Sequence, residues 1–121
     1  MTDLVTVIVP THNRCDMLEN AIKSILLQTY ENIEIIVVVD GCTDCTEKIL
    51  ENFKQDNRFK IIVSQINIGG AEARNFGIDS ATGEYLAFLD DDDYWHENKV
   101  SKQVKAFQEH EDVCIVGCNY Y

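Results

Sequence analysis

Basic residues are scarce in this sequence: ten Lys and Arg stand against 21 Asp and Glu, and the formal net charge at pH 7 is −11. A protein that binds nucleic acid needs clustered Lys and Arg to neutralise the phosphates, so this composition excludes nucleic acid as the partner. The excess of acid fits a site that holds an anionic ligand through metal ions. Acidity that merely keeps a protein soluble accounts for the charge equally well.

Long apolar runs are also absent. No stretch approaches the ~18 residues of a transmembrane helix, and the N-terminus lacks the basic-then-apolar pattern of a signal peptide. Low-complexity segments are absent too, and 45% hydrophobic residues exclude a disordered chain. These features predict a soluble, cytoplasmic protein. The length of 121 residues predicts one domain over residues 1–121.

The five cysteines are an odd number, so a complete disulfide framework cannot use them all. Cys42 and Cys45 form a C-x-x-C pattern, which is typical of a redox pair or of half a zinc site. Cys114 and Cys118 have a different spacing and lie in an apolar stretch, so the remaining zinc ligands are missing. We therefore expect reduced, structural thiols, with a redox or zinc function as the less favoured alternative.

Strand and helix patterns alternate along the chain. Apolar, β-branched runs predict strands at residues 5–9, 35–39, 59–63, 84–89 and 113–116. Apolar stripes with helical spacing predict helices within residues 18–26, 46–53 and 97–110. Gly69-Gly70 is expected to open a further short helix that runs to about residue 80 and is ended by a turn at Thr82-Gly83. Pro10 is expected to end the first strand because it cannot donate into a ladder. The alternation predicts a three-layer α/β domain with a mainly parallel sheet.

Right-handed crossovers would place all the strand-to-helix loops along one edge of this sheet. Ligands of such sheets bind at the carboxyl ends of the strands. This rule directs attention to the loops at residues 10–14, 40–44 and 90–93.

The run of four aspartates at residues 90–93 is the sharpest feature. Adjacent carboxylates repel one another, and a divalent cation such as Mg²⁺ or Mn²⁺ would relieve the repulsion. Mg²⁺ typically takes one or two protein carboxylates together with phosphate oxygens of the substrate. Taken alone, the run is equally consistent with a solvated surface loop.

Other candidate residues lie in or near the same loops. Asp40 could accept hydrogen bonds from a nucleobase or a ribose, or it could cap the helix that begins near Thr43, and its position slightly favours the cap. His12 could stack on a base or be an ordinary surface residue. Arg74 could pair with phosphates, brace the acid run, or form a surface ion pair of little energetic value.

Taken together, five stretches resemble the large family 2 of inverting glycosyltransferases: residues 5–14, 21–30, 34–44, 67–77 and 82–99. Each stretch alone is moderate evidence, whereas the ordered set spans nearly the whole chain. The resemblance implies the A-type, Rossmann-like nucleotide-diphospho-sugar transferase fold.

The resemblance also implies roles for residues in the three loops. Pro10, Thr11 and His12 would line one side of the base, Asp40 would contact the base and Asp91 the ribose. His12 stands where the family usually has an aromatic residue. The departures from the family pattern concern the residues that contact the base, so they bear on which nucleotide binds. Uridine diphosphate derivatives are the first ligands to expect.

The metal and phosphate contacts are implied in the same way. Asp92 would be the chief ligand of Mg²⁺ or Mn²⁺, with Asp90 as the first acid of the D-x-D motif. Arg74 would support the diphosphate or the acid cluster.

The implied reaction transfers a sugar from a nucleoside diphosphate to the hydroxyl of a saccharide or lipid-linked acceptor, with inversion. The family's general base lies downstream of the D-x-D segment, so the chain is expected to be the N-terminal, donor-binding portion of a longer enzyme. The expected location of this enzyme is the cytoplasm or the cytoplasmic face of the membrane. A non-catalytic nucleotide-sugar-binding module is the main alternative. A signalling receiver domain is less favoured because residues 10–13 and 64–65 lack the acids it needs.

Overall fold

A computed structural model describes residues 3–117. Strands and helices alternate in the order β1 (Val5–Thr11), α1 (Cys15–Leu26), β2 (Ile33–Asp40), α2 (Thr46–Glu51), β3 (Phe59–Ser64), α3 (Gly70–Ser80), β4 (Tyr85–Phe88) and α4 (Lys99–Glu109). The four strands form one parallel sheet in the order β3-β2-β1-β4. No helix within residues 3–117 is long and apolar enough to cross a membrane.

Both faces of the sheet are covered, which confirms the three-layer α/β prediction. Val7 of β1 and Ile35 of β2 belong to a large apolar cluster with side chains of α1, α2 and α4. Ile36 and Val38 of β2 point to the opposite face, where they pack with Ala73 of α3. Strands buried on both faces need apolar side chains at every position, which is why these two strands read as continuous apolar runs.

Helix α3 approaches β1 very closely at Gly77. A Cβ atom at this position would lie 2.5 Å from Cγ2 of Ile8, which is fully buried. Glycine therefore allows α3 to sit low on the sheet, and the packing fixes the helix that carries Arg74.

The prediction that Pro10 ends β1 is wrong, because β1 continues to Thr11. In a parallel strand the N–H and C=O groups of one residue point to the same neighbour. The carbonyl of Ile8 accepts from Leu89, so the even-numbered residues of β1 face β4. The last β1–β4 pair is Ile8 with Phe88. Pro10 therefore faces the space beyond β4, where it interrupts no ladder.

The predicted fifth strand at residues 113–116 is also wrong, since these residues have no regular structure. Ile115 is 87% exposed. β-propensity expresses how well a side chain fits a paired, half-buried surface, and within residues 3–117 no strand pairs with this segment. The apolar run at residues 113–116 was therefore not sufficient to predict a strand.

The cysteine prediction is corrected in part. Cys15, at the start of α1, forms a disulfide with Cys45, just before α2, and their Cα atoms are 5.7 Å apart. Cys42 is a free, half-buried thiol. Cys42 and Cys45 of the C-x-x-C pattern are therefore not bonded to each other, because the partner of Cys45 is 30 residues away in sequence. The disulfide joins the loop after β1 to the loop after β2.

Glu34 anchors the opposite end of the sheet. It is buried, and its carboxylate accepts hydrogen bonds from the hydroxyls of Thr6 and Thr82 at 2.8 and 2.7 Å and from the ammonium group of Lys60. Burial raises the pKa of Glu34, but these hydrogen bonds outweigh it and lower the pKa to about 2. The carboxylate thus ties the turn before β4 to β1 and β2.

We expect replacement of Cys15 and Cys45 by Ser to lower the free energy of unfolding by about 3–4 kcal/mol, because the bond restricts the unfolded chain. Urea unfolding with and without a dithiol reductant measures this effect. Reductant should lower the stability of the wild type and of the Cys42→Ser control to that of the double variant, and it should leave the double variant itself unaffected. Equal stability of the oxidised and reduced wild type would contradict the assignment.

We expect Glu34→Gln to remove a pH-dependent part of the stability. The pKa of Glu34 is lower in the folded protein than its ordinary 4.5, so the contribution is present above pH 4.5 and is lost as the pH falls towards about 2. Its size is about 3 kcal/mol. Urea unfolding across this range should show a smaller decline for Glu34→Gln than for the wild type. The exposed Glu31→Gln should follow the wild type, and parallel curves for all three proteins would refute the role of Glu34.

Candidate active site

A cavity of about 400 Å³ opens at the carboxyl ends of β1, β2 and β4. It is lined by Pro10, Thr11, His12, Arg14, Asp40, Gly70, Arg74, Asp90, Asp91 and Asp92. The structure therefore brings together all eight of the side chains singled out in the sequence. Arg14 and Gly70 are additional.

The loop after β1 carries His12 and Asn13. Asn13 has a φ of 52°, a left-handed conformation that asparagine tolerates better than most residues. Its side-chain oxygen accepts the N–H of Thr43 at 2.8 Å. Nδ1 of His12 lies 2.6 Å from the carbonyl oxygen of Asp40. These contacts, with the disulfide, hold the loops after β1 and β2 side by side.

Asp40 does not cap the helix near Thr43, so that interpretation is wrong. Its buried carboxylate accepts the N–H groups of Ile68 at 2.7 Å and Gly69 at 3.0 Å. Asp40 pairs in register with Ser64, the last residue of β3, so the loop that follows β3 passes over it. The carboxylate thus fixes the segment that leads into α3.

Helix α2 instead begins beside Asp44. The carboxylate of Asp44 accepts the N–H of Thr46 at 3.0 Å and the N–H of Cys15 at 3.1 Å. Burial raises the pKa of Asp44, but the hydrogen bonds outweigh it and the pKa is lowered.

Asp91 is the buried member of the acid run. Its side chain is 8% exposed, and it accepts hydrogen bonds from the hydroxyl of Thr11 at 2.9 Å and the N–H of His12 at 3.3 Å. Burial raises the pKa of Asp91, and these hydrogen bonds only partly oppose it. Asp91 therefore links the ends of β1 and β4 at a cost in solvation.

Asp90 and Asp92 are exposed, and each pairs with an arginine. Nη2 of Arg74 lies 2.9 Å from Asp90, and Nη1 of Arg14 lies 2.7 Å from Asp92 and 3.5 Å from Asp91. The side chains of Asp90 and Asp92 are 60% and 47% exposed. Such exposed ion pairs are worth about 0–1 kcal/mol, so a ligand can displace them cheaply.

Arg14 was missed in the sequence analysis as a site residue. It is the one Lys or Arg in the loop at residues 10–14. Because this loop lies at the ligand edge of the sheet, a lone guanidinium group there could have been recognised as a candidate for binding an anionic ligand.

Asn67 was also missed. Its amide Nδ2 lies 3.1 Å from Nε2 of His12. Its sequence signals were its place as the first residue of the matching stretch 67–77 and its position two residues before Gly69-Gly70.

The donor set of the acid run suits a hard cation. Asp90 and Asp92 offer carboxylate oxygens to the cavity, and Mg²⁺ and Mn²⁺ prefer such ligands. Within residues 3–117, no three His, Cys, Asp or Glu side chains form a group that could hold a metal ion.

A comparison with protein families matches residues 6–121 to the model of glycosyl transferase family 2. Among curated relatives, the chain is 42% identical over 119 residues to WfaP from Escherichia coli, a UDP-Glc:α-D-GlcNAc-diphosphoundecaprenol β-1,3-glucosyltransferase. The match covers 98% of this chain and 47% of WfaP. The chain spans less than half the length of the curated relatives that it matches.

Solved structures show the same fold. TarS from S. aureus in complex with UDP-GlcNAc matches with a TM-score of 0.84 and 30% identity, over 89% of this chain and 32% of that one. The mannosyltransferase PcManGT from Pyrobaculum calidifontis, in complex with GDP-Man and Mn²⁺, matches with a TM-score of 0.81 and 27% identity, over 88% of this chain and 33% of that one. The fold is therefore the Rossmann-like nucleotide-diphospho-sugar transferase fold, and the receiver-domain alternative is wrong. The chain belongs to glycosyl transferase family 2.

Proposed function

We propose that this chain is the donor-binding part of a glycosyltransferase that transfers a sugar, with inversion, from a nucleoside diphosphate to an acceptor hydroxyl. One observation carries the proposal. A single cavity is lined by the loop at residues 10–12, by the buried carboxylate of Asp91, and by the exposed carboxylates of Asp90 and Asp92, which are paired with arginines. A nucleoside diphosphate offers a base, a ribose with hydroxyl donors and a charged diphosphate, and these three kinds of group suit such a ligand.

The donor that we favour is a UDP-sugar. WfaP is named for UDP-Glc, and TarS was solved with UDP-GlcNAc. PcManGT was solved with GDP-Man, so the family fold accommodates more than one base. In this chain Pro10, Thr11 and His12 would line the base, and Asp91 would accept the ribose hydroxyls.

A divalent cation, Mg²⁺ or Mn²⁺, would be held by Asp92 and Asp90. The donor set fits such an ion, and the complex of PcManGT contains Mn²⁺. When bound, the ion supplies Lewis-acid stabilisation of charge on the departing diphosphate. Because Mg²⁺ prefers only one or two protein carboxylates beside phosphate oxygens, we expect the ion and the nucleotide to bind together.

Arg14 and Arg74 would serve the diphosphate. In the free protein their guanidinium groups pair with Asp92 and Asp90. These weak, exposed ion pairs hold the two arginine side chains at the cavity, and they break easily when a better partner is present. Guanidinium groups bind phosphate oxygens in a bidentate manner, so both arginines can turn to the diphosphate when it enters.

The acceptor site and the general base are assigned to a part of the enzyme outside these 121 residues, as the resemblance implies. An acceptor hydroxyl is a poor nucleophile, and in an inverting reaction a carboxylate takes its proton on the face opposite the leaving group. A saccharide or a lipid-linked acceptor is proposed, in line with the diphosphoundecaprenol acceptor in the name of WfaP. Location in the cytoplasm, or at the cytoplasmic face of the membrane, stays a prediction.

We expect Asp92→Asn to weaken the Mn²⁺-dependent part of UDP binding by more than about tenfold, because the amide cannot neutralise the ion. Calorimetric titration of UDP with Mn²⁺ and with a chelator separates the two parts. Asp93→Asn is the matched control, since within residues 3–117 the carboxylate of Asp93 accepts only the adjacent N–H of Tyr94 and does not line the cavity. Equal Mn²⁺ dependence in wild type and Asp92→Asn would refute the metal assignment.

Acceptor-dependent sugar transfer by the 121-residue chain would refute the placement of the general base.

We expect Asp91→Asn to separate stability from binding. Burial raises the pKa of Asp91, so its ionisation costs stability above the folded-state pKa, and this cost disappears as the pH falls through that value. The neutral amide should therefore leave the free energy of unfolding at neutral pH higher, or within about 0.5 kcal/mol of the wild type. UDP binding should weaken by about 10- to 100-fold with the loss of a charged acceptor for the ribose. Marked destabilisation with unchanged binding would show a purely structural role.

A further inference from the structure

Asp92 lies on a short loop between two buried residues. Asp91 on one side and Trp95 on the other are buried, whereas the three residues between them, 92–94, are exposed. The side chain of Trp95 belongs to the large apolar cluster. Exposed residues with few packed contacts are held weakly by their own side chains. The position of Asp92 therefore depends on how firmly the two ends of the loop are held.

Helix α1 holds the end of this loop at Trp95. The backbone N–H of Trp95 donates to Oγ of Ser24 at 3.1 Å. The hydroxyl of Ser24 in turn donates to the carbonyl oxygen of Ala21 at 2.7 Å. Because the single hydroxyl hydrogen is used for Ala21, the oxygen of Ser24 meets Trp95 as an acceptor. Ser24 thus joins α1 to a residue that lies 71 positions away in sequence.

One turn further along α1, Gln28 holds the residues that follow Trp95. Its buried side chain donates from Nε2 to the carbonyl oxygen of His96 at 2.7 Å, and its Oε1 accepts the N–H of Val100, in the first turn of α4, at 3.0 Å. Residues four apart in a helix are neighbours, so Ser24 and Gln28 act from the same face of α1. Together they fix the chain as it leaves the acid run.

We propose that Ser24 is a positioning residue for Asp92: it holds the loop at Trp95, so that Asp92 meets the cation and the diphosphate in one place. The proposal rests on the metal site proposed above. Asp92 also pairs with Arg14, but that ion pair is lost when the arginine turns to the diphosphate. The two ends of the loop then fix Asp92. Residues behind a metal ligand commonly set its orientation in this way.

Amide hydrogen exchange of the free protein tests the contact without any ligand. In Ser24→Ala the N–H of Trp95 loses its acceptor and should exchange about tenfold faster than in the wild type. This increase should exceed that of the amides of β1, which report the stability of the whole fold. Ser24→Thr should restore the protection, because its hydroxyl can make the same bond within the helix. An increase at Trp95 no larger than that in β1 overturns the proposal.

Calorimetric titration of UDP, with Mn²⁺ and with a chelator, tests the consequence for the site. Ser24→Ala should weaken the Mn²⁺-dependent part of binding by about tenfold and leave binding in the chelator unchanged. A purely structural role would change neither in the folded protein. Ser24→Thr should bind like the wild type.

Ser101→Ala is the matched control for this titration. The hydroxyl of Ser101 likewise donates to a carbonyl three residues earlier, that of Asn98, at 3.0 Å. Its oxygen, however, accepts from Thr29 instead of from the loop. The control variant should therefore keep the Mn²⁺ dependence of the wild type.

The titration separates failure of this proposal from failure of the proposed function. If the wild type shows Mn²⁺-dependent binding and Ser24→Ala shows the same dependence, only the role of Ser24 is refuted. An equal loss with Mn²⁺ and with the chelator would also refute it, because Ser24 would then support the nucleotide site as a whole and not Asp92. A wild type without any Mn²⁺ dependence would refute the metal site, and the role of Ser24 with it.

Discussion

The site depends on the parallel pairing of β1 with β2 on one side and with β4 on the other. This pairing aligns Thr11 with Val39 and Ile8 with Phe88, so the three strands end at the same edge. The residues that follow are then brought together although they lie up to 80 positions apart, as in the hydrogen bond from Thr11 to Asp91. Apolar burial on both faces keeps the register, because a shift by one residue would exchange every side chain between the faces.

Local patterns in the sequence were sufficient for the four helices, for four of the five predicted strands and for the position of the site, because those properties depend on neighbouring residues. The apolar runs of β1 and β2 and the stripe of α1 needed no partner to be recognised. The errors all concern long-range partners. Pro10 is tolerated because β4 is short, Asp40 binds the loop after β3 because of register, and Cys45 meets Cys15 because two loops are adjacent. No local pattern contains this information.

The chemistry of the acid run also depends on its surroundings. Four adjacent aspartates in a chain of net charge −11 indicate repulsion that a divalent cation would relieve. In the structure Asp91 is buried against Thr11, and Arg14 and Arg74 balance its two neighbours. The repulsion is thus relieved in the free protein by weak pairs. A site arranged in this way is stable without its ligand. Because the two ion pairs are weak, Arg14 and Arg74 can still leave the aspartates and bind a ligand that enters.

The disulfide adds a constraint of a different kind. Cys15 and Cys45 follow the two loops that would hold the base, and the free thiol of Cys42 lies 3.4 Å from the backbone nitrogen of Asn13. The side chains of Asn13 and Asp44 already join these loops by accepting the N–H groups of Thr43 and Cys15, so the covalent link reinforces a contact that does not depend on it. Disulfides are rare in cytosolic proteins, and the predicted cytoplasmic location therefore does not account for this bond. Because these hydrogen bonds involve neither sulfur atom, we expect them to keep the two loops together when the disulfide is reduced, so that the oxidation state of Cys15 and Cys45 changes the stability of the arrangement and not its geometry.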